Sequence, residues 1–260
     1  MTLKANNPAL QSWVEVPVNS DFPIQNLPLG IFKHNGNSPR VGVAIGDKVL
    51  DLKALHSLGY LTRLQFTIED FSSNVLNTMM RHGKQGTREL RNRISDLLNA
   101  DNEELQKKEH HCEQVLHEQS EVEMLLPMHI GDYTDFYSSE QHAFNVGCLF
   151  RDPDNALLPN WKHIPVGYHG RSSSIIPSGM NFHRPKGQMK PPTAEVPVFG
   201  ASKLLDFELE TAFFTYEGKP LGGSISTEEA DDYIFGMTLL NDWSARDIQG
   251  WEYVPLGPFL

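Results

Sequence analysis

The chain has 260 residues, 39% of them hydrophobic, with a net charge of -11 and a pI near 5.4. That acidity argues against nucleic acid or an anionic membrane surface as a partner, and no apolar run approaches the roughly 18 residues of a membrane span. Two cysteines without CxxC spacing, Cys112 and Cys148, exclude a disulfide framework. Met1 to Asn7 show no basic, apolar, small-residue signal pattern, so a cytoplasmic (cytosolic) location with reduced thiols is expected.

Taken in order, the chain starts with little periodicity, and residues 22–28 read as an extended entry. Short strand-like runs follow at 30–33, 41–45 and 49–52. They are separated by the turn chemistry of Asn35-Gly36-Asn37-Ser38-Pro39 and Gly46-Asp47-Lys48. This pattern predicts a small antiparallel barrel or meander, a scaffold or docking unit without catalytic residues. From residue 53 to about 122 the pattern is helical. Leu76, Met79 and Met80 give one short stretch; Leu90, Ile94, Leu97 and Leu98 share one face of a better one. Gly83 and Gly86 mark a break between them. The run from Lys107 to Cys112 reads as a solvated amphipathic helix rather than a metal site, because its adjacent histidines point to different faces. A boundary near Leu126-Pro127 divides the chain into units over 15–122 and 127–260.

The second unit is rich in strand, loop, Gly, Pro and aromatic residues, and no internal repeat occurs. Its first notable stretch is Gly131-Asp132-Tyr133-Thr134-Asp135-Phe136-Tyr137-Ser138-Ser139, followed by Glu140-Gln141-His142. It reads as a loop entering a helix, with Ser138 or Ser139 as N-cap and Gln141 or His142 in the first turn. Asp135 offers a hard oxygen ligand and His142 a proton acceptor that titrates near neutrality. The plainer alternative is an N-cap acid and a surface histidine.

Residues 204–214 alternate as a strand, with Leu205, Phe207 and Leu209 on one face and Asp206, Glu208 and Glu210 on the other. Acids two residues apart lie about 7 Å apart along the strand. They either converge on a cation or form an acidic outer face. Residues 233–241 read as a strand buried on both faces that ends in Asp242-Trp243-Ser244-Ala245-Arg246-Asp247-Ile248-Gln249. There Asp242 would be a ligand and Arg246 an anion binder; otherwise Asp242 caps the next helical turn and Arg246 pairs with Asp247 or another acid. Asp135, Glu208, Glu210 and Asp242 are all oxygen donors, so a site built from them would take Mg²⁺ or Ca²⁺ rather than Zn²⁺. Arg151 and Tyr168 are donors suited to a carboxylate or carbonyl. His163 and His169 read as loop-backbone partners, and the hydroxyl tract after them lacks the GxxxxGK[ST] pattern of a phosphate loop.

Five segments together closely resemble the fumarylacetoacetate hydrolase family. They are Asp-Phe-Pro-Ile-Gln-Asn-Leu-Pro at 21–28, Gly-Asp-Tyr-Thr-Asp-Phe-Tyr-Ser-Ser at 131–139, Pro-Val-Gly-Tyr-His-Gly-Arg at 165–171, Phe-Glu-Leu-Glu at 207–210 and Asn-Asp-Trp-Ser-Ala-Arg-Asp-Ile-Gln at 241–249. The similarity runs from about residue 15 to the last residue and is weakest between about 53 and 122. The N-terminal segment narrows it to the branch that acts on 4-fumarylacetoacetate. The resemblance implies a mainly β fold with some α: a small SH3-like N-terminal barrel and a C-terminal mixed β-roll, in a homodimer. It implies metal ligands at Asp135, Glu208, Glu210 and Asp242, with Mg²⁺ or Ca²⁺, and His142 as general base. It implies substrate contacts from Tyr137, Arg151, Tyr168, Arg246, Gln249 and Tyr253. The reaction it implies is hydrolysis of a carbon–carbon bond in a diketo acid, 4-fumarylacetoacetate, giving fumarate and acetoacetate in tyrosine and phenylalanine catabolism. The family pattern continues past Leu260, so a truncated β-roll is expected, without a family lysine and an acid that orients the base. Two other readings stay open. One is an inactive fragment or isoform acting through protein contacts. The other is a sister enzyme acting on acylpyruvates or oxaloacetate, against which the N-terminal barrel argues.

Overall fold

Turn chemistry shapes the first sheet as the sequence suggests. Strands β1 (Leu29–His34), β2 (Arg40–Ile45) and β3 (Lys48–Asp51) pair antiparallel in sequence. Asn35 and Gly36 take left-handed backbone at the first turn, and Gly46 takes φ +55° at the second. Gly46 is required twice over: a Cβ there would also lie 2.2 Å from the carbonyl oxygen of Glu15. Strands β4 (Leu116–Glu118) and β5 (Val122–Leu125) complete the sheet in the order β4-β3-β2-β1-β5. Its two edges are consecutive in the chain, joined by the single turn Gln119–Glu121. The computed structural model describes residues 4–253. Met1 to Leu3, part of the signal-pattern reading, and residues 254–260, the end of the expected second unit, lie outside the described residues.

Six helices are inserted between β3 and β4: α1 (Leu52–Ser57), α2 (Ile68–Phe71), α3 (Asn77–Met80), α4 (Gly83–Leu98), α5 (Glu103–Gln106) and α6 (Glu109–Val115). The apolar face of α4 is the expected one, with Leu90, Ile94, Leu97 and Leu98 all buried. They meet Ile31, Val43 and Leu50 of the sheet in one core. Each such side chain contributes about 1.5–3 kcal/mol of burial. Asp51 joins sheet to helix: its Oδ1 accepts from Ala54 N to cap α1, and its Oδ2 accepts from buried Arg40 Nε at 2.5 Å.

Three local readings are corrected. Residues 22–28 are not extended: Asn26 N bonds Pro23 O at 2.8 Å and Leu27 has φ +39°, closing a turn. The helix break falls at Gly83 alone, because Gly86 sits inside α4, buried against Gln65. The fold is also less dominated by β than expected, being mixed α and β among the described residues. The run at 107–112 behaves as read: it enters α6 with His110 exposed, while His111 bonds the Tyr60 hydroxyl at 2.8 Å.

Beyond Pro127 the described residues form three antiparallel strand pairs. They are β6 (Thr134–Phe136) with β7 (Gly167–His169), β8 (Lys186–Met189) with β9 (Val198–Ala201), and β10 (Leu205–Thr215) with β11 (Ile234–Ala245). Helix α7 (Glu140–Phe150) follows β6, α8 (Thr227–Ala230) precedes β11, and α9 (Arg246–Glu252) follows it. The β11 strand is not buried on both faces as read, since Met237, Leu239 and Trp243 are exposed on its outer side. It also continues through Ala245, so its polar residues lie within the strand rather than beyond its tip. At its far end the β10–β11 hairpin leans on the first unit. Phe214 and Phe235 pack against the core there, and the Tyr216 and Thr87 hydroxyls meet at 2.5 Å.

Candidate metal centre and active site

Strand alternation places the acids. On β10 the odd-numbered residues Phe207 and Leu209 face outward and are strongly exposed, and Glu208 and Glu210 share the inner face. The reading of an acidic outer face is therefore reversed. In the β10–β11 register Glu208 stands opposite Asp242 and Asp206 opposite Ser244. Asp242 is thus a strand residue and caps no helix. In the β6–β7 register Asp135 stands opposite Tyr168. Opposed side chains lie on one face, and Asp135 Oδ2 accepts hydrogen bonds from Tyr168 Oη at 2.6 Å and Tyr133 Oη at 3.3 Å.

These two strand pairs bring Asp135, Glu210 and Asp242 together, with one carboxylate oxygen from each within 4.8 Å of the others. None of the three makes an ion pair with Lys, Arg or His among the described residues. Burial, then the charges of Asp135, Asp242 and Glu208, push Glu210 up to about 7. Burial, then Glu208 and Asp135, push Asp242 up to about 6, with Arg246 opposing. Burial and the Asp135 carboxylate also raise the Tyr133 and Tyr168 phenols far above their ordinary value, so both remain donors. Three carboxylates held this close require a shared proton or a cation. Their donor atoms are hard oxygens, and a hard divalent cation fits the set.

Glu208, the fourth expected ligand, does not join this cluster. Its Oε1 accepts from Arg246 Nη2 at 2.5 Å and Ser244 Oγ at 3.2 Å, and its Oε2 lies 3.1 Å from His142 Nε2. Arg246 also holds Asp206 at 3.1 Å and Gln249 Oε1 at 3.1 Å. Glu208 therefore connects the acid cluster to a histidine and an arginine. His142 sits in the first turn of α7, whose N-cap is Ser139; Ser139 Oγ accepts from His142 N at 3.3 Å. The Tyr137 ring meets the imidazole edge-on, with centroids 5.5 Å apart. Ser139→Ala is expected to lower stability by about 1 kcal/mol through loss of the cap. Urea unfolding checks it, with Ser139→Asp restoring the loss.

The remaining expected contacts lie further out. Tyr137 Oη donates to Ala143 O at 3.1 Å, and Arg151 donates through Nε and Nη2 to Ala156 O at 3.1 and 2.7 Å. Gln249 reaches the site only through Arg246, and Tyr253 stands half-exposed after α9. Two neighbours were missed by the sequence reading. Tyr133 is two residues before Asp135 and Ser244 two after Asp242, so strand alternation places each on its partner's face. That spacing was the available signal.

Two family models match the chain. One described as Fumarylacetoacetase N-terminal covers residues 25–127, and one described as Fumarylacetoacetate (FAA) hydrolase C-terminal covers residues 133–260. Among curated proteins, a Fumarylacetoacetase of Caenorhabditis elegans is 53% identical over 255 residues. Those of Homo sapiens and Arabidopsis thaliana are 51% identical over 250 residues and 48% over 259. Each match covers 96% of this chain and 60% of the relative, so the chain spans about 60% of the length of the relatives it matches. With both models matched in succession and half the positions shared across such distant organisms, the chain belongs to the fumarylacetoacetate hydrolase family.

Proposed function

We propose that this chain carries the metal site and the base of a fumarylacetoacetase. The reaction is hydrolysis of the carbon–carbon bond of 4-fumarylacetoacetate to fumarate and acetoacetate, the last step of tyrosine and phenylalanine catabolism. The observation that carries the reading is the junction at Glu208, which sets a histidine beside a cluster of three carboxylates. Asp135, Glu210 and Asp242, with Glu208 adjoining, would hold Mg²⁺ or Ca²⁺. Once bound, the cation supplies Lewis acidity toward the diketone oxygens.

The other parts belong to the chain itself. The Glu208 carboxylate, 3.1 Å from His142 Nε2, favours a proton on that nitrogen and leaves the Nδ1 lone pair as the base. Nδ1 takes a proton from water as the water oxygen adds to the carbonyl carbon. Glu208 then faces the resulting imidazolium and stabilises it. The proton on Nδ1 is next available to the departing acetoacetate carbon. Tyr168, bonded to Asp135, and Arg246, bonded to the adjoining Glu208, are the donors best set to orient substrate oxygens. Tyr137, Arg151, Gln249 and Tyr253 complete the proposed substrate contacts.

The same reading takes the five-stranded sheet as an SH3-like barrel and the later hairpins as part of a β-roll, with units over 15–122 and 127–260. It takes the assembly as a cytoplasmic homodimer. Support for a covering partner comes from the exposed apolar side of β10 and β11, with Phe207, Leu209 and Leu239 in the open. No helix among the described residues is long and apolar enough to cross a membrane.

The test follows the diketone absorbance of 4-fumarylacetoacetate with Mg²⁺ or Ca²⁺ and then with EDTA. It is run on this chain and on a chimera completed with the remaining length of the Homo sapiens relative. Metal-dependent loss of absorbance in the chimera is expected. A folded chimera that leaves the diketone intact overturns the assignment.

A further inference from the structure

The α4 helix and the far end of the β10–β11 hairpin border an open cavity of about 550 Å³, inside the roughly 300–1,000 Å³ range of small-molecule sites. Its floor is apolar, formed by Leu90, Ile94, Met128, Phe214 and Phe235. One wall is a face of α4 on which Lys84, Thr87, Arg88 and Arg91 recur at helical spacing. Two of these four are engaged by other side chains. Lys84 pairs with Asp231 at 2.9 Å and Asp232 at 3.3 Å, and Thr87 bonds Tyr216.

The two arginines are not matched by carboxylates. Arg88 makes no hydrogen bond or ion pair among the described residues; Asp231 is within its electrostatic range but is held by Lys84. Arg91 gives Nη2 to the Gln25 carbonyl and pairs with no acid among the described residues. The Nε of each is buried without an acceptor. A buried cationic N–H with no acceptor is costly, and two guanidinium side chains without a carboxylate partner on the wall of one cavity favour an anion there. Burial also pulls the Arg91 guanidinium below its ordinary pKa, as expected where no counter-charge compensates. Across the cavity Gly236 faces open space, with nothing within 4 Å of where a Cβ would stand. The site is separate from the acid cluster, since Phe214 lies four residues, about 13 Å, along β10 from Glu210.

We propose that this cavity binds a small organic carboxylate with an apolar body. The carboxylate lies against Arg88 and Arg91, whose planar guanidiniums match it. The body rests on Leu90, Ile94, Phe214 and Phe235.

Calorimetric titration of the chain with octanoate tests this, with octan-1-ol and inorganic phosphate as the neutral and the purely anionic probes. Saturable binding of one octanoate per chain is expected, with both control probes at least about tenfold weaker. Arg88→Gln and Arg91→Gln should each weaken octanoate at least about tenfold. Gly236→Leu, whose Cβ would stand in open space on the cavity wall, should weaken octanoate at least about tenfold while the thermal melt stays cooperative. That variant keeps the test decisive if an arginine variant fails to fold. Absence of saturable binding overturns the proposal, as does unchanged affinity in folded Arg88→Gln, Arg91→Gln or Gly236→Leu. Octan-1-ol or phosphate binding as tightly as octanoate overturns it too.

Discussion

Replacing His142 by Ala is expected to lower hydrolysis of 4-fumarylacetoacetate by roughly 10²–10⁴-fold, the usual cost of losing a positioned base. Divalent-cation affinity should change by no more than about twofold, because such a loss acts on the transition state rather than on ion binding. The separation follows from geometry. The imidazole lies 3.1 Å from Glu208, whose other oxygen accepts from Arg246 and Ser244, and among the described residues it pairs with none of the three clustered carboxylates. Glu208→Gln provides the sharper test of how the base is held. An amide can offer Nε2 either a donor or an acceptor, so the tautomer is no longer fixed. The Glu208→Gln chimera should therefore lose turnover with little change in KM. Kinetics of both variants, alongside calorimetry of the cation, decide the point. Normal turnover in His142→Ala removes the histidine from the chemistry. A matching collapse of cation affinity would make it a ligand instead.

Much of this arrangement was legible from period and chemistry. The alternation at 204–214 fixed which residues of β10 share a face, and the Gly46 turn fixed the β2–β3 hairpin. The apolar spacing of Leu90, Ile94, Leu97 and Leu98 found the helix that closes the core. What stayed hidden depended on contacts between distant segments. Alternation shows that Phe207 and Glu208 face opposite ways, but not which face the rest of the chain covers. Apolarity argues for burying the phenylalanine, and in this chain the acids lie inward. Nor does spacing say that Asp135, on a different hairpin, meets Glu210 and Asp242 while Glu208 turns to Arg246 and His142. That choice is made by the registers Asp135↔Tyr168 and Glu208↔Asp242, which only the folded hairpins define. The β11 strand was misjudged for a related reason. A run such as Ile234-Phe235-Gly236-Met237 looks buried on both sides, yet only the side facing α4 and the acids is covered among the described residues.

The acid cluster also makes a prediction about pH whose sign reverses with the cation. Without a cation, Glu210 is raised to about 7 and Asp242 to about 6, both above ordinary carboxylates. The folded state then holds protons that the unfolded state has released. These groups support the fold fully below the ordinary carboxylate range, and that support is lost as pH rises through 6 and 7. In EDTA the melting temperature should therefore fall across this window. With excess Mg²⁺ or Ca²⁺ the trend should turn over, because the ion binds the deprotonated cluster and stabilises the folded chain by mass action. Cation affinity should drop about a hundredfold from pH 7.5 to pH 5, as one to two protons compete for the site. Glu210→Gln imitates the protonated carboxyl at every pH. It should weaken the cation at least about a hundredfold, because one of the three anionic groups that would hold the ion is lost. In EDTA it should also flatten the fall in melting temperature, since it removes a buried titrating carboxyl and its repulsion with Asp135 and Asp242. Scanning calorimetry across pH, with and without the ion, reads both effects in one series. A wild-type melting temperature that rises from pH 5 to 7.5 in EDTA would mean the three carboxylates are not held together. In that case a Glu210→Gln variant with unchanged cation affinity would exclude them as the cation site.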